Sequence, residues 1–171
     1  MANFIRILAI SGTKNEMSFR KEFQIITAKT LPPKKRGKQV SRHNEDILLK
    51  QVKDARLCCV VAPPGYGKTN ILSRSFRHLN NLGYLVAWVS FDAQDNQFYR
   101  FLSYVLASLQ QVSALKREWR DLLLDTHPED QGDHLLSSLI EELSDSDNDL
   151  YLILDDFHHI QDRQIHDFLK R

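Results

Sequence analysis

The feature that most constrains this chain is Ala62-Pro63-Pro64-Gly65-Tyr66-Gly67-Lys68-Thr69, between an apolar run, Leu57 to Ala62, and a segment whose apolar residues Ile71, Leu72, Phe76 and Leu79 recur at helical spacing. A glycine-rich turn ending in Lys-Thr, with a strand before it and an amphipathic helix after it, is a phosphate-binding loop in its required context. A polyphosphate presents anionic oxygens. The loop must therefore turn successive backbone N–H groups inward, and Gly65 and Gly67 allow close approach without a Cβ in the way. Pro63 and Pro64 have no N–H, so the donors are expected from residues 65 to 70, helped by the positive end of a helix starting near Lys68. Lys68 is expected on the β and γ phosphates, and the Thr69 hydroxyl on Mg²⁺. The pattern G-x-x-x-x-G-K-[ST] has Gly where this chain has Ala62; a methyl is tolerated there if the residue stays extended.

The remaining pattern is that of an α/β chain. The run Leu57 to Ala62 predicts a strand covered on both faces of a parallel sheet, preceded by a short helix from Ser41 to about Ala55. Gly83 is expected to end the helix after the loop, and Tyr84 to Phe91 reads as a second strand parallel to the first. Asp95 is expected to cap a helix with the stripe Phe98, Phe101, Leu102, Val105, Leu106 and Leu109. A further helix is expected within Ala114 to Asp125, closed by a Pro128 to Gly132 turn. Another carries Leu135, Leu136, Leu139, Ile140 and Leu143, and the last spans about Arg163 to Leu169. Leu150 to Leu154 is the third buried strand.

That third strand ends in Asp155-Asp156, and Asp155 follows Lys68 by 87 residues. Carboxylates at the carboxyl end of a parallel strand face the same crevice as the loop after strand one. Asp155 is suited to hold Mg²⁺ opposite Thr69, and Asp156 to accept a proton from an attacking water. Asp92 and Asp95 are placed to cap the loop after strand two. His158, His159, Asp162 and His166 match no zinc spacing and read as surface or supporting residues.

Composition limits the rest. The chain has 171 residues, room for one domain. It is 42% hydrophobic with no run long enough to span a membrane. Residues 1–56 carry a net charge of +8 and residues 57–171 a net charge of −7. The basic head, 1–39 with its Leu31 to Lys38 turn-rich stretch, reads as a tail or linker, and 40–171 as the domain. Cys58 and Cys59 are adjacent, cannot pair without strain, and read as reduced core residues of a cytoplasmic protein. Phe4 to Ile10 carries Arg6 and is too short for a signal peptide.

Val60 to Thr69, then Val86 to Asp92 with Asp95-Asn96 and Arg100-Phe101-Leu102, then Leu152 to His158, together resemble the large ATP-binding LuxR-type transcriptional regulators of the maltose-regulon-activator type. These belong to the signal-transduction (STAND) P-loop NTPases. The resemblance covers about residues 27–171. It implies an α/β P-loop NTPase fold, a parallel sheet flanked by helices, with ATP and Mg²⁺ as cofactors. By the same carry-over Gly65, Tyr66, Gly67, Lys68, Thr69 and Asn70 bind the nucleotide, Asn70 standing where many relatives have a second Thr or Ser. Thr69 and Asp155 would serve the metal, and Asp156 would activate water. Thr27 to Pro33 and Val40 to Arg42 resemble a lead-in segment that encloses the base, with Arg42 on the adenine side.

The resemblance also implies what lies elsewhere. In that family a fourth strand lies between the phosphate-loop strand and the Asp-Asp strand, so a chain ending one helix past Asp156 is expected to be truncated after the third core strand, with a gap in its sheet. DNA would be bound only through a carboxyl-terminal region absent here, and self-association belongs to the full-length family. The expected function is ATP binding by the nucleotide-binding portion of a switch whose slow hydrolysis resets it, with a catalytic set incomplete for hydrolysis in this chain. The alternatives are a small P-loop kinase and an inactive remnant of the regulator.

Overall fold

The computed structural model describes residues 5–8 (backbone), 24–34, 52, 57–124, 133–144 and 149–170. Arg42, the Pro128 to Gly132 turn and all of the Ser41 to Ala55 segment except Val52 lie outside that set. Of that segment, Val52 is helical and buried.

Three parallel strands, β1 (Ile5–Leu8), β2 (Leu85–Ser90) and β3 (Leu150–Asp155), form a sheet in the order β1-β3-β2. β3 pairs with β2 over its whole length, from Leu85 opposite Leu150 to Ser90 opposite Asp155. On its other edge it pairs with β1, from Ile5 opposite Leu150 to Leu8 opposite Ile153. Helices α1 (Lys68–Asn81), α2 (Phe98–Gln111), α3 (Trp119–Leu124), α4 (Asp133–Ser144) and α5 (Arg163–Phe168) complete the described fold.

Strand side chains alternate between faces, and here each face has its own helices. Val86, Trp88, Tyr151 and Ile153 point to one side, where Val52 and Leu72 and Leu79 of α1 cover them. Ala87, Val89, Leu150, Leu152 and Leu154 point to the other, against α2 to α5. The α2 stripe of Phe98, Phe101, Leu102, Val105, Leu106 and Leu109 is wholly buried there, as the periodicity predicts. Each such side chain contributes about 1.5–3 kcal/mol on burial, so α2 is the chief covering element of this face. α4 buries Leu135, Leu139 and Leu143 but leaves Ile140 half exposed. α1 stops where expected, with the Gly83 N–H closing on the Asn80 carbonyl.

Several expectations are corrected. Leu57 to Ala62 is not a strand of the three-stranded sheet: it makes a single bridge at Leu57, and its alternate residues Leu57, Cys59 and Val61 are exposed. The edge of β3 away from β2 is taken by Ile5–Leu8, so only Cys58 and Val60 of the run pack on the core. Cys58 and Cys59 are both free, but Cys59 is exposed rather than a core residue. Secondly, parts of the basic head lie within the described fold, since Ile5–Leu8 pairs with β3 and Thr27–Lys29 forms a 3-10 turn. Thirdly, the residue before α2 is Gln97, and Asp95 instead completes a reciprocal cap with Asp92 on the 3-10 turn Ala93–Asp95. The helix expected within Ala114 to Asp125 is shorter, beginning at Trp119.

Candidate functional site

The loop from Ala62 to Gly67 delivers the chain into α1. Gly65 and Gly67 hold φ of +81° and +80°, and Gly67 occupies the position that caps α1. A Cβ at either would meet no atom closer than 3.9 Å. The left-handed backbone, not crowding, is therefore what calls for glycine at both positions. The Tyr66 N–H donates to the Pro63 carbonyl at 3.4 Å and closes the turn, while the Tyr66 ring is exposed. The first intrahelical bond runs from Ile71 N–H to the Gly67 carbonyl. Lys68, Thr69 and Asn70 thus form the first turn of α1, whose amides have no preceding helical carbonyl to bond.

Lys68 arches back over the loop: its Nζ donates to the Ala62 carbonyl at 2.7 Å and the Pro63 carbonyl at 3.1 Å. These bonds hold the ammonium over the loop. One turn of α1 and the end of β3 meet directly, the Thr69 Oγ1 donating to Asp155 Oδ1 at 3.1 Å across 86 residues of sequence. Asp155 is 3% exposed. Burial, and then the charge of neighbouring Asp156, push its carboxyl up to about 6, with the Thr69 hydroxyl partly offsetting them. A buried carboxylate that resists ionisation is one that a cation would stabilise.

Asp156 follows at φ +53°, left-handed for a residue with a side chain. Such a conformation costs on the order of 1–3 kcal/mol and persists only where surrounding structure enforces it. That enforcement comes from Phe157, which is buried against Phe91, Phe101 and His166. The Asp156 carboxylate is half exposed, with His158 Nδ1 3.7 Å away. His158 stacks on His159 with ring centroids 4.0 Å apart.

The structure therefore brings together Gly65, Tyr66, Gly67, Lys68, Thr69 and Asn70, and joins Thr69 to Asp155. Arg42 lies outside the described residues. Hard oxygen donors from a threonine hydroxyl and a carboxylate are the set that suits Mg²⁺, which keeps several waters and takes few protein ligands. Among the described residues no group of three or more His, Cys, Asp or Glu side chains is gathered to hold a metal by itself.

Sequence reasoning missed a second cluster. Lys29 reaches Asp95 Oδ2 at 2.5 Å and Asp92 Oδ2 at 2.7 Å, and Arg100 Nε donates to Asp95 Oδ1 at 2.8 Å. Burial pulls the Lys29 ammonium down, but its bonds to Asp92 and Asp95 outweigh that and raise it. Likewise burial pushes Asp92 up, while Lys29 and the Gln94 N–H hold it below the ordinary carboxylate value. The signal available was the charge asymmetry between head and body.

A family model described as "Nephrocystin 3, N-terminal" matches residues 38–171, and the chain belongs to that family. It is also similar to proteins of other names. The serine/threonine-protein kinase PknK of Mycobacterium tuberculosis is 32% identical over 126 residues, 74% of this chain and 11% of that protein. The HTH-type transcriptional regulator MalT of Yersinia pestis is 32% identical over 146 residues, 85% of this chain and 16% of that protein. The chain thus spans less than a fifth of the length of these relatives. No helix among the described residues is long and apolar enough to cross a membrane.

Proposed function

We propose that this chain binds MgATP and is the nucleotide-binding portion of a STAND-type P-loop regulator related to the LuxR-type transcriptional activators. The observation that carries the reading is the Thr69–Asp155 bond, which sets a magnesium-type oxygen pair beside a Gly-Lys-Thr loop whose glycines are left-handed. The similarity to the regulator MalT supports it. Phosphate oxygens take the amides of Gly67 to Asn70 and the Lys68 ammonium, exchanging the Ala62 and Pro63 carbonyls for a stronger, charged acceptor. Thr69 and Asp155 hold Mg²⁺, which supplies charge neutralisation of the phosphates. Asp156, exposed beside them, is the acceptor for a proton from water. The DNA-binding and assembly functions of a whole regulator reside outside these residues.

The test is titration of the purified chain with a fluorescent ATP analogue, with and without Mg²⁺. Lys68→Ala is expected to weaken binding roughly ten- to hundredfold, because a charge-assisted hydrogen bond is worth about 1.5–3 kcal/mol. Equal affinity of the wild type and Lys68→Ala overturns the reading.

A further inference from the structure

The loop that joins β2 to α2 makes contacts in two directions. Toward the head, Asp95 is fully buried and each of its carboxylate oxygens is held, Oδ2 by Lys29 and the Asp92 N–H and Oδ1 by Arg100. The Asp92 carboxylate in turn accepts from Gln94 N–H at 2.8 Å. This part of the loop is therefore fixed at several points. The next residue, Asn96, reaches the other way: its Oδ1 accepts from both Gln161 N–H at 2.6 Å and Asp162 N–H at 2.8 Å.

Gln161 and Asp162 follow the 3-10 turn Phe157–His159, which begins immediately after Asp156. That turn is closed by His159 N–H to the Asp156 carbonyl and by Ile160 N–H to the Phe157 carbonyl. The strained residue Asp156 is thus gripped on one side by β3 and on the other by a turn that the buried Ile160, its carbonyl bonded to the His166 ring, seats in the core, and whose next two amides are both held by the Asn96 oxygen. We infer that Asn96 is a positioning residue for the acidic pair: anchored by the Lys29–Asp95–Arg100 cluster, it fixes the turn that sets Asp155 and Asp156 relative to Thr69. The inference rests on the nucleotide reading for its consequence at Mg²⁺, but its structural content stands apart from it.

Two variants test it. Asn96→Ala removes the acceptor, and Asn96→Asp keeps an oxygen in the same place. In amide hydrogen exchange of the full chain, Asn96→Ala is expected to speed exchange at His159 and Ile160 at least tenfold while the central amides of β2 and β3 keep their protection. Asn96→Asp is expected to restore it. In the nucleotide titration, Asn96→Ala is expected to lower affinity severalfold with Mg²⁺ present and leave it unchanged in EDTA. Exchange that rises only at Gln161 and Asp162 overturns the inference, as does an equal loss of affinity with and without Mg²⁺. A wild-type chain that binds no nucleotide under either condition defeats the proposed function instead, and the exchange result then decides the positioning role alone.

Discussion

Two acid pairs stand at the carboxyl ends of neighbouring parallel strands, and the fold treats them in opposite ways. Asp92 and Asp95 follow β2; Asp155 and Asp156 end β3, with Asp155 in register with Ser90. Asp95 is buried with a lysine on one oxygen and an arginine on the other. Asp155 is nearly as buried but has a threonine hydroxyl and no cation in contact among the described residues. A buried carboxylate is tolerated when it is paired and hydrogen-bonded. The first pair meets that condition from within the chain and so is architecture. Among the described residues the second has no lysine or arginine in contact, only the more distant charge of Lys68 on Asp155, and it lies beside the Gly-Lys-Thr loop.

The largest effect should come from breaking the satisfied pair. Asp95→Asn puts a neutral group against Arg100 and leaves Lys29 with Asp92 alone of its two carboxylates. Removing one partner of a buried ion pair costs about 3–5 kcal/mol, so the melting temperature should fall on the order of 10 °C. Thermal unfolding followed by circular dichroism checks this. A variant that melts with the wild type would show that the cluster is dispensable and dissolve the contrast.

Next is pH, because the two pairs have opposite signs. The Asp155 carboxyl titrates at about 6 in the folded chain against 3.8 as a free carboxyl. The folded state binds that proton more tightly, so the contribution of Asp155 is fully present below 3.8 and is lost as pH rises through 6. Asp92 is held below its ordinary value, so its contribution is present above 3.8 and lost as pH falls through its depressed midpoint. Asp155→Asn should therefore stabilise the chain at pH 7 by about 1 kcal/mol, a figure discounted for water reaching the strand end. It should also abolish the component of the urea-unfolding profile that gains stability between pH 6 and 4. An unchanged slope there would mean that Asp155 is not strained by its charge. The same variant should lose the Mg²⁺-dependent part of nucleotide affinity.

The contrast also marks what could be read from the sequence. The loop was legible because its chemistry is local: Gly65, Gly67, Lys68 and Thr69 lie within five residues, and glycine is the residue that the left-handed backbone demands. The α2 stripe was legible for the same reason. The cap that Asp92 and Asp95 form on the loop was legible, but Asp95 was also read as the cap of α2, whereas Lys29, which claims its other contacts, lies 66 positions upstream. Ion pairing at that range leaves no periodic trace. The apolar run Leu57 to Ala62 has the composition of a buried strand, but which strand β3 accepts on its second edge is settled by Ile5–Leu8, some 145 residues away. A four-residue segment carrying Arg6 gives little local evidence of that role.

The smallest effect separates the two members of the acidic pair from each other. Asp156 is half exposed, with His158 Nδ1 3.7 Å from its carboxylate, so Asp156→Asn should leave nucleotide affinity unchanged while slowing any turnover, and should raise the melting temperature slightly at pH 7 by relieving the repulsion on Asp155. Its charge is nevertheless the second cause of the raised Asp155 carboxyl, after burial. Removing it should move the Asp155 titration down, followed by carboxyl carbon NMR shifts against pH. The midpoint should remain above 3.8, because the larger cause is untouched. If it falls all the way to the free-carboxyl value, repulsion rather than burial governs Asp155. The two acid pairs would then differ in spacing, not in how each is shielded from water.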